Sequence, residues 1–179
     1  MFVSSVDCRA AFDSVSHDIL IAKLEKTCGV QGQALELFKT YLGDRWQRTK
    51  LSGDRVSQWL PIKSGVPQGS VLGPLLFSLY ISDIGDHVTA AELVVYADDV
   101  TCVTSDKNPK RARDKMNLAL KQFAEYAKRN RIAPEPTKTQ LLISASSAQM
   151  HNLKELACEL GEHSVNPKDV IKVLGVLLD

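Results

Sequence analysis

Asp98 and Asp99 stand side by side between two apolar, β-rich runs, Glu92-Leu93-Val94-Val95-Tyr96 and Val100-Thr101-Cys102-Val103. Adjacent unpaired carboxylates inside a packed strand would carry a large desolvation penalty. The acids therefore belong at a hairpin tip, where Tyr96-Ala97-Asp98-Asp99 turns the chain. Such a tip has two readings. One is a solvated Asp-Asp turn. The other is a divalent-cation site, because hard carboxylate oxygens suit Mg²⁺, which takes a few carboxylates together with phosphate oxygens and water. Asp7 bears on the choice, since it ends the run Phe2-Val3-Ser4-Ser5-Val6 much as Asp98 ends its own. If the two strands are neighbours in one sheet, the carboxylates meet. Crowded carboxylates repel one another unless a cation neutralises them. Two ions about 4 Å apart, held by such acids, are the apparatus of in-line phosphoryl displacement. The plain alternative for Asp7 is a strand-end acid capping a turn. Asp7 and Asp98 are expected close enough to share a metal.

A second candidate is the loop Gly65-Val66-Pro67-Gln68-Gly69-Ser70-Val71-Leu72-Gly73-Pro74, which runs into an apolar helical stretch. Glycines let backbone approach a ligand closely, and a helix N-terminus favours anions. An ordinary strand-to-helix connection reads equally well.

The elements that would position these groups follow from periodicity and punctuation. Phe2 to Val6 reads as a buried strand beginning almost at the first residue, which suggests a chain cut from something longer. Ser16 can cap a helix carrying Ile19, Leu20 and Leu24, with Gly29 as its stop. Ala34, Leu35, Phe38, Tyr41 and Leu42 recur at helical spacing, and Gly43 closes that helix. Trp46 to Leu51 and Val56 to Ile62 flank Ser52-Gly53-Asp54, a hairpin signal. Pro74 suits the first turn of a helix reaching about Ile84. Asn108-Pro109 opens a long helix with Ala112, Met116, Ala119, Leu120, Phe123 and Ala127 on one side. Gln140 to Ile143 is a strand, Leu156 to Leu160 and His163 to Val165 form a hairpin, and Val170 to Leu177 is the last strand. Strands and helices mix without regular alternation. The expected class is α+β: an antiparallel sheet with helices packed on one face, plus β-hairpin insertions.

Composition narrows the function classes. The 179 residues are 44% hydrophobic and 24% charged, as in an ordinary globular domain. The net charge is +1, so a polyanion site must come from local clustering. Two clusters exist: nine basic against three acidic residues from Asp106 to Arg131, and six against two from Lys39 to Lys63. Either could line a nucleic-acid path, and either reads equally as a solvated face. Cysteines 8, 28, 102 and 158 form no C-x-x-C pair, which argues against a zinc knuckle or a disulfide scaffold and suits a reducing compartment. No apolar run approaches the roughly 18 residues of a membrane span. The expected setting is intracellular, cytoplasmic or nuclear, with no membrane partner.

Three segments together resemble one family. Asp7-Cys8-Arg9-Ala10-Ala11-Phe12-Asp13, the Gly65 to Pro74 loop and Tyr96 to Asp99 are similar, in order and spacing, to motifs A, B and C of reverse transcriptases. The longer forms, Ala11-Phe12-Asp13-Ser14-Val15-Ser16-His17 and Gly65 through Phe77, resemble the non-LTR (LINE-type) retrotransposon branch. Thr137-Lys138-Thr139 is similar to motif D, and Val173 to Asp179 to the motif E region. The resemblance covers essentially the whole chain and implies a polymerase palm, residues 1–179, with a finger-like insertion at 16–64 between motifs A and B.

That resemblance carries roles residue by residue. Asp7, Asp98 and Asp99 would hold Mg²⁺, for which Mn²⁺ can substitute, together with the backbone carbonyl of Cys8. Phe12 matches the steric gate that excludes a ribose 2′-OH. Arg9, Ala10, Phe12 and Gln68 would lie along the nucleotide. Gly69, Tyr96 and Ala97 would meet template and primer. Lys138 matches the lysine that protonates or neutralises the departing pyrophosphate. Phe12 also reads as simple core, and Lys138 as a solvated strand-edge charge. The implied partners are an RNA template, a DNA primer and deoxynucleoside triphosphates. The branch usually has a small or hydroxyl residue where Arg9 stands, and Pro134-Glu135-Pro136 stiffens the motif D loop. The expected activity is RNA-directed DNA synthesis. The upstream fingers, the thumb and the endonuclease are expected to lie outside the chain, so weak or no activity in isolation is expected. The competing reading is an inactive or domesticated retroelement relic with at most nucleic-acid binding. An RNA-templated RNA polymerase is disfavoured by Phe12.

Overall fold

The computed structural model describes residues 1–53, 55–145, 153 and 156–179. They form two compact units, Met1–Ala10 with Ser82–Asp179, and Ala11–Ile81. The second unit encloses the expected 16–64 insertion.

The first unit is built on a sheet with strand order Pro167–Lys168, Gln140–Ile143, Phe2–Val6, Asp99–Thr104, Glu92–Tyr96. Phe2–Val6 lies at the centre, antiparallel to both neighbours. Its alternation explains why it is buried on both faces. Val3 packs with Leu142 and Ile171 on one side, which leaves Phe2, Ser4 and Val6 on the other. That other side meets the helix Pro109–Arg129. The helix begins where expected: Pro109 occupies the first turn, and the Asn108 side chain accepts from Lys110 N at 3.0 Å. Its buried stripe is Ala112, Met116, Ala119, Leu120, Phe123, Tyr126 and Ala127. Fully burying a side chain the size of Met116, Leu120 or Phe123 stabilises by about 1.5–3 kcal/mol. Thr104 ties strand to helix by donating its hydroxyl to Ala112 O at 3.0 Å.

Two expectations need correction here. The sheet is mixed, because the edge strand Pro167–Lys168 runs parallel to Gln140–Ile143. The expected strand Val170 to Leu177 is instead a hairpin, Ile171–Val173 against Val176–Leu178. Its turn residues Leu174 and Gly175 have φ of 48° and 86°, a two-residue turn that folds an apolar run back on itself. This hairpin supplies Ile171, Val173 and Leu178 to the sheet face opposite the long helix, so that face is covered by β-structure and not by a helix. The hairpin Cys158–Leu160 with His163–Val165 forms as expected; 154–155 lie outside the described residues.

The second unit packs the helix His17–Lys26 against the helices Gly32–Leu42 and Leu72–Ile81. Leu20, Leu24, Leu35, Leu42, Leu76, Phe77 and Tyr80 are its buried residues. Ser16 occupies the N-cap position but makes no side-chain cap bond; its N–H donates to Tyr80 Oη at 3.3 Å. The helix after Pro74 ends at Ile81, short of Ile84, which opens a separate turn, Ile84–His87, belonging to the first unit. The Trp46-to-Ile62 ribbon pairs at Trp46–Gln47 with Leu60–Pro61 and at Lys50 with Val56, with further backbone bonds such as Ser57 N to Thr49 O at 2.9 Å. Asp54, part of its expected turn, lies outside the described residues.

Candidate active site

The hairpin predicted from Asp98-Asp99 is present. Tyr96 pairs with Asp99, so Ala97 and Asp98 form the two-residue tip. The strand Asp99–Thr104 pairs with Phe2–Val6 as far as Val6 opposite Val100. One step further along that antiparallel register, Asp7 comes level with Asp99. Asp7 and Asp99 thus stand at the ends of neighbouring strands, with Asp98 at the adjoining tip. Burial, then repulsion from Asp98 and Asp7, raises the Asp99 carboxyl above its ordinary value. The Cys8 thiol is pushed up to about 12 by burial first and then by Asp7, Asp98 and Asp99. It stays protonated near neutrality and leaves only its backbone oxygen as a ligand.

Among the described residues no three of His, Cys, Asp and Glu are gathered tightly enough to hold a metal ion as they stand. The donor chemistry nonetheless fits a divalent cation: hard oxygens only, mutually repelling, at the ends of adjacent strands. A cation already answers part of that charge, because Lys138 Nζ lies 3.2 Å from Asp7 Oδ2. Asp7, Asp99 and Lys138 line one cleft of about 460 Å³ with Lys168, Lys172, Ser5, Gln140 and Leu174. Lys168 and Lys172 had no assigned role in the sequence; the edge strand Pro167–Lys168 and the hairpin strand Ile171–Val173 bring them to the cleft.

Repulsion at Asp99 has a testable sign. A carboxyl whose folded value is raised contributes stability that is fully present below its unfolded value and is lost as pH rises through its folded value. Asp98→Asn is expected to lower the Asp99 carboxyl toward the ordinary range, read from the carboxyl carbon shift in a pH titration. An unmoved Asp99 midpoint would mean that the two acids do not sense each other.

Ala97 has φ of 50°, the left-handed region. For a residue with a Cβ this is worth roughly 1–2 kcal/mol of strain, partly offset in glycine by its looser unfolded chain. Ala97→Gly is expected to stabilise the fold by up to about 1 kcal/mol in denaturant unfolding. A loss of stability would show that the tip is relaxed as alanine.

The Thr137–Thr139 segment is organised by Glu135, which the sequence reading named only within a stiff Pro134-Glu135-Pro136 run. Cys8–Arg9 pairs with Ala133–Pro134, and the Glu135 N–H donates to Asp7 O at 2.8 Å. Pro134 therefore sits at a non-hydrogen-bonded pair, where its missing N–H is not needed. The Glu135 carboxylate accepts from Arg9 Nε at 2.8 Å, from a second Arg9 nitrogen, and from Thr137 Oγ1 at 2.8 Å. Hydrogen bonds from Arg9, then Thr137, hold that carboxyl below the ordinary range. Arg9, expected along the nucleotide, thus gives its guanidinium to Glu135. Tyr96 is exposed at the sheet edge, and Ala10 lies at the end of the first unit's opening segment with φ of 46°.

In the second unit, the Phe12 ring stacks on Phe77 with centroids 4.4 Å apart. The glycine loop docks under that segment. Gly65 N donates to Val15 O at 2.7 Å, Val66 N to Phe12 O at 3.0 Å, and His17 Nε2 lies 2.8 Å from Gly65 O. Gly65 is required twice over: its φ is +90°, and a Cβ there would meet Asp13 Cα and O at 3.0 Å. Gln68 Nε2 donates to Asp13 Oδ1 at 2.8 Å, a partner not anticipated. Gly69 has open space around it. Ser70 Oγ donates to Pro67 O and accepts from Gly73 N at 3.0 Å, which fixes the entry to the helix Leu72–Ile81. A cleft of about 760 Å³ follows this loop, lined in part by Asp13, Arg45, Gln47, Lys63 and Gln68. On the ribbon, Trp46 and Trp59 are exposed, and the Arg48 guanidinium lies 4.7 Å from the Trp59 ring centroid.

Comparisons with known proteins give the family and the fold. The sequence pattern of the family described as "Reverse transcriptase (RNA-dependent DNA polymerase)" matches residues 1–178. The chain is 33% identical over 129 residues, 68% of its length, to the "RNA-directed DNA polymerase from mobile element jockey" of Drosophila melanogaster. It is 31% identical over 181 residues, 97% of its length, to the "Probable RNA-directed DNA polymerase from transposon X-element" of the same fly. The chain spans only 14% and 19% of those two relatives. Among solved structures, an apo telomerase from Candida tropicalis, truncated from its C-terminal domain, aligns with TM-score 0.64 at 14% identity over 82% of this chain and 31% of that one. A Candida albicans telomerase in complex with a fragment of telomeric RNA aligns with TM-score 0.61 at 16% identity, over 94% and 30%. At these identities the likeness is one of fold.

Proposed function

From a chain that belongs to the reverse transcriptase family, in its non-LTR retrotransposon branch, we propose that this is the catalytic palm of an RNA-directed DNA polymerase extending a DNA primer on an RNA template with deoxynucleoside triphosphates. The observation that supports the reading is the strand register that sets Asp7 level with Asp99, with Asp98 at the adjoining tip and Lys138 on Asp7. Asp7, Asp98, Asp99 and the Cys8 carbonyl would hold Mg²⁺ or Mn²⁺. When bound, a pair of such ions activates the attacking hydroxyl and steadies the leaving pyrophosphate.

The chain's own groups do the rest. The strand ends fix the carboxylates, so little reorganisation accompanies the reaction. Lys138, with Lys168 and Lys172 beside it in the cleft, offers positive charge to the departing pyrophosphate, and its ammonium can deliver a proton. Phe12 excludes a ribose 2′-OH. Gln68, held by Asp13, and Gly69, with no side chain of its own, leave a flat loop for template and nascent pair. The exposed Trp46 and Trp59 with Arg45, Arg48 and Lys63 offer stacking faces and charge to a single strand. The test is primer extension on an RNA template by the open reading frame that contains this chain, with Asp98→Asn as the blank. Asp98-dependent extension supports the reading; extension indifferent to Asp98 overturns it.

A further inference from the structure

We infer that Glu135 is a positioning residue for this site: gripped by Arg9, it holds the Thr137–Thr139 turn so that the Lys138 ammonium stands on Asp7. The inference deepens the reading above, in which Lys138 meets the departing pyrophosphate.

Every polar atom of Glu135 is committed to that task. Its N–H donates to Asp7 O at 2.8 Å, which ties the turn to the residue bearing the carboxylate. Its carbonyl accepts from Lys138 N at 3.1 Å, Thr139 N at 3.0 Å and Thr139 Oγ1 at 3.1 Å. Its carboxylate accepts from two Arg9 nitrogens and from Thr137 Oγ1. Pro134 and Pro136 on either side fix the backbone that enters and leaves it. Lys138, by contrast, has a side chain 69% exposed, its ammonium 3.2 Å from Asp7 Oδ2. A lysine on so free a stem keeps its rotamer entropy. Where its ammonium dwells is therefore set by where the backbone of the turn points, and Glu135 sets that.

The pair is exposed on one side only: the Arg9 side chain is 72% exposed and that of Glu135 12%, so breaking it costs some stability as well as position, and the test below separates the two. The pair spans 126 residues of sequence, and it joins the strand that carries Asp7 to the turn that carries Lys138. Its geometry fits a device that fixes one relative to the other.

The test reads Lys138 directly and needs no metal. The lysines of the chain are ¹³C-dimethylated, and the Lys138 resonance is identified by its loss in Lys138→Arg. Its displacement in Asp7→Asn measures the ion pair. Glu135→Ala is expected to reproduce most of that displacement, and Arg9→Met, at an exposed side chain, part of it in the same direction. In an Asp7→Asn background Glu135→Ala should add nothing, which a general loosening of the fold would not mimic. In the polymerase, Glu135→Ala should lower kcat roughly tenfold with the KM for deoxynucleotide unchanged, and Glu135→Gln should recover part of the rate. A Lys138 resonance that stays at its parental position in both Arg9→Met and Glu135→Ala overturns the inference. So does a displacement that persists undiminished beside Asp7→Asn. Primer extension at the parental rate by Lys138→Ala would instead strike the catalytic role of Lys138 and leave the positioning result standing.

Discussion

Asp98→Asn is expected to lower primer extension on an RNA template by three or more orders of magnitude while the fold stays intact. Asparagine is nearly isosteric with aspartate, so the two-residue tip between Tyr96 and Asp99 can keep its geometry. What changes is charge. Asp98 is one of the acids whose repulsion raises Asp99 and Cys8, and removing it relieves that repulsion. Folding stability should therefore hold or rise slightly. The rate should behave in the opposite way. Charge stabilisation by a coordinated cation is worth several kcal/mol in a phosphoryl-transfer transition state, and about 1.4 kcal/mol corresponds to a factor of ten. In the proposed site, losing one of the three carboxylates that would hold the cation removes a large part of it. A solvated Asp-Asp turn makes the opposite forecast: a rate within about twofold of the parent. Thermal melts run beside the extension assay separate lost chemistry from lost fold.

How much of this was legible beforehand depended on whether a signal was local. Asp98-Asp99 announced itself because charge interrupted an apolar run, and burial arithmetic alone moved it to a hairpin tip. The stripe Ala112 to Ala127 was legible because 21 helical residues give a 3.6-residue period room to repeat. The pairs Cys8–Arg9 and Ala133–Pro134 have only two residues each, too short to show any period. The turn at Leu174-Gly175 was hidden by composition: Val-Leu-Gly-Val-Leu-Leu reads as one apolar strand, and the positive φ at Leu174 is not a preference of leucine. Glu135 was the costliest omission. Nothing in Pro-Glu-Pro-Thr indicates that its partner is Arg9, and a side-chain bond across that span becomes visible only when the sheet brings both ends together. Gln68 with Asp13 is the same case: both lie in segments read as functional, yet no local rule joins them. Lys168 and Lys172 escaped for a related reason, since a parallel edge strand, Pro167–Lys168, delivers the first to the cleft and the hairpin strand Ile171–Val173 the second. What the residues made plain was which groups repel, bury or turn; what they withheld was who meets whom.

Phe12→Val is expected to admit ribonucleotides while leaving deoxynucleotide incorporation largely unchanged. The gate assigned to Phe12 works by steric overlap with the 2′-OH. Forcing extra atoms into a filled space typically costs about 1–3 kcal/mol, so discrimination should fall by a factor of roughly 5–150. The structure adds a complication that sharpens the experiment. Phe12 stacks on Phe77, which is 2% exposed and belongs to the core of its unit. Such aromatic pairs are worth about 0.5–1.5 kcal/mol beyond their buried area. Valine removes the stack, so some stability is lost whatever the gate does. The two roles separate in their readouts. A gate moves the ratio of ribonucleotide to deoxynucleotide kcat/KM. A core ring moves the unfolding midpoint and lowers both substrates together. Phe12→Tyr supplies the complementary arm, since it keeps a six-membered ring against Phe77 and keeps the 2′ space filled. If Phe12→Tyr discriminates like the parent and Phe12→Val does not, the ring itself is the barrier. If neither variant shifts the ratio while valine costs stability, Phe12 serves the packing of Phe77 alone, and selection against ribonucleotides has to come from another side chain.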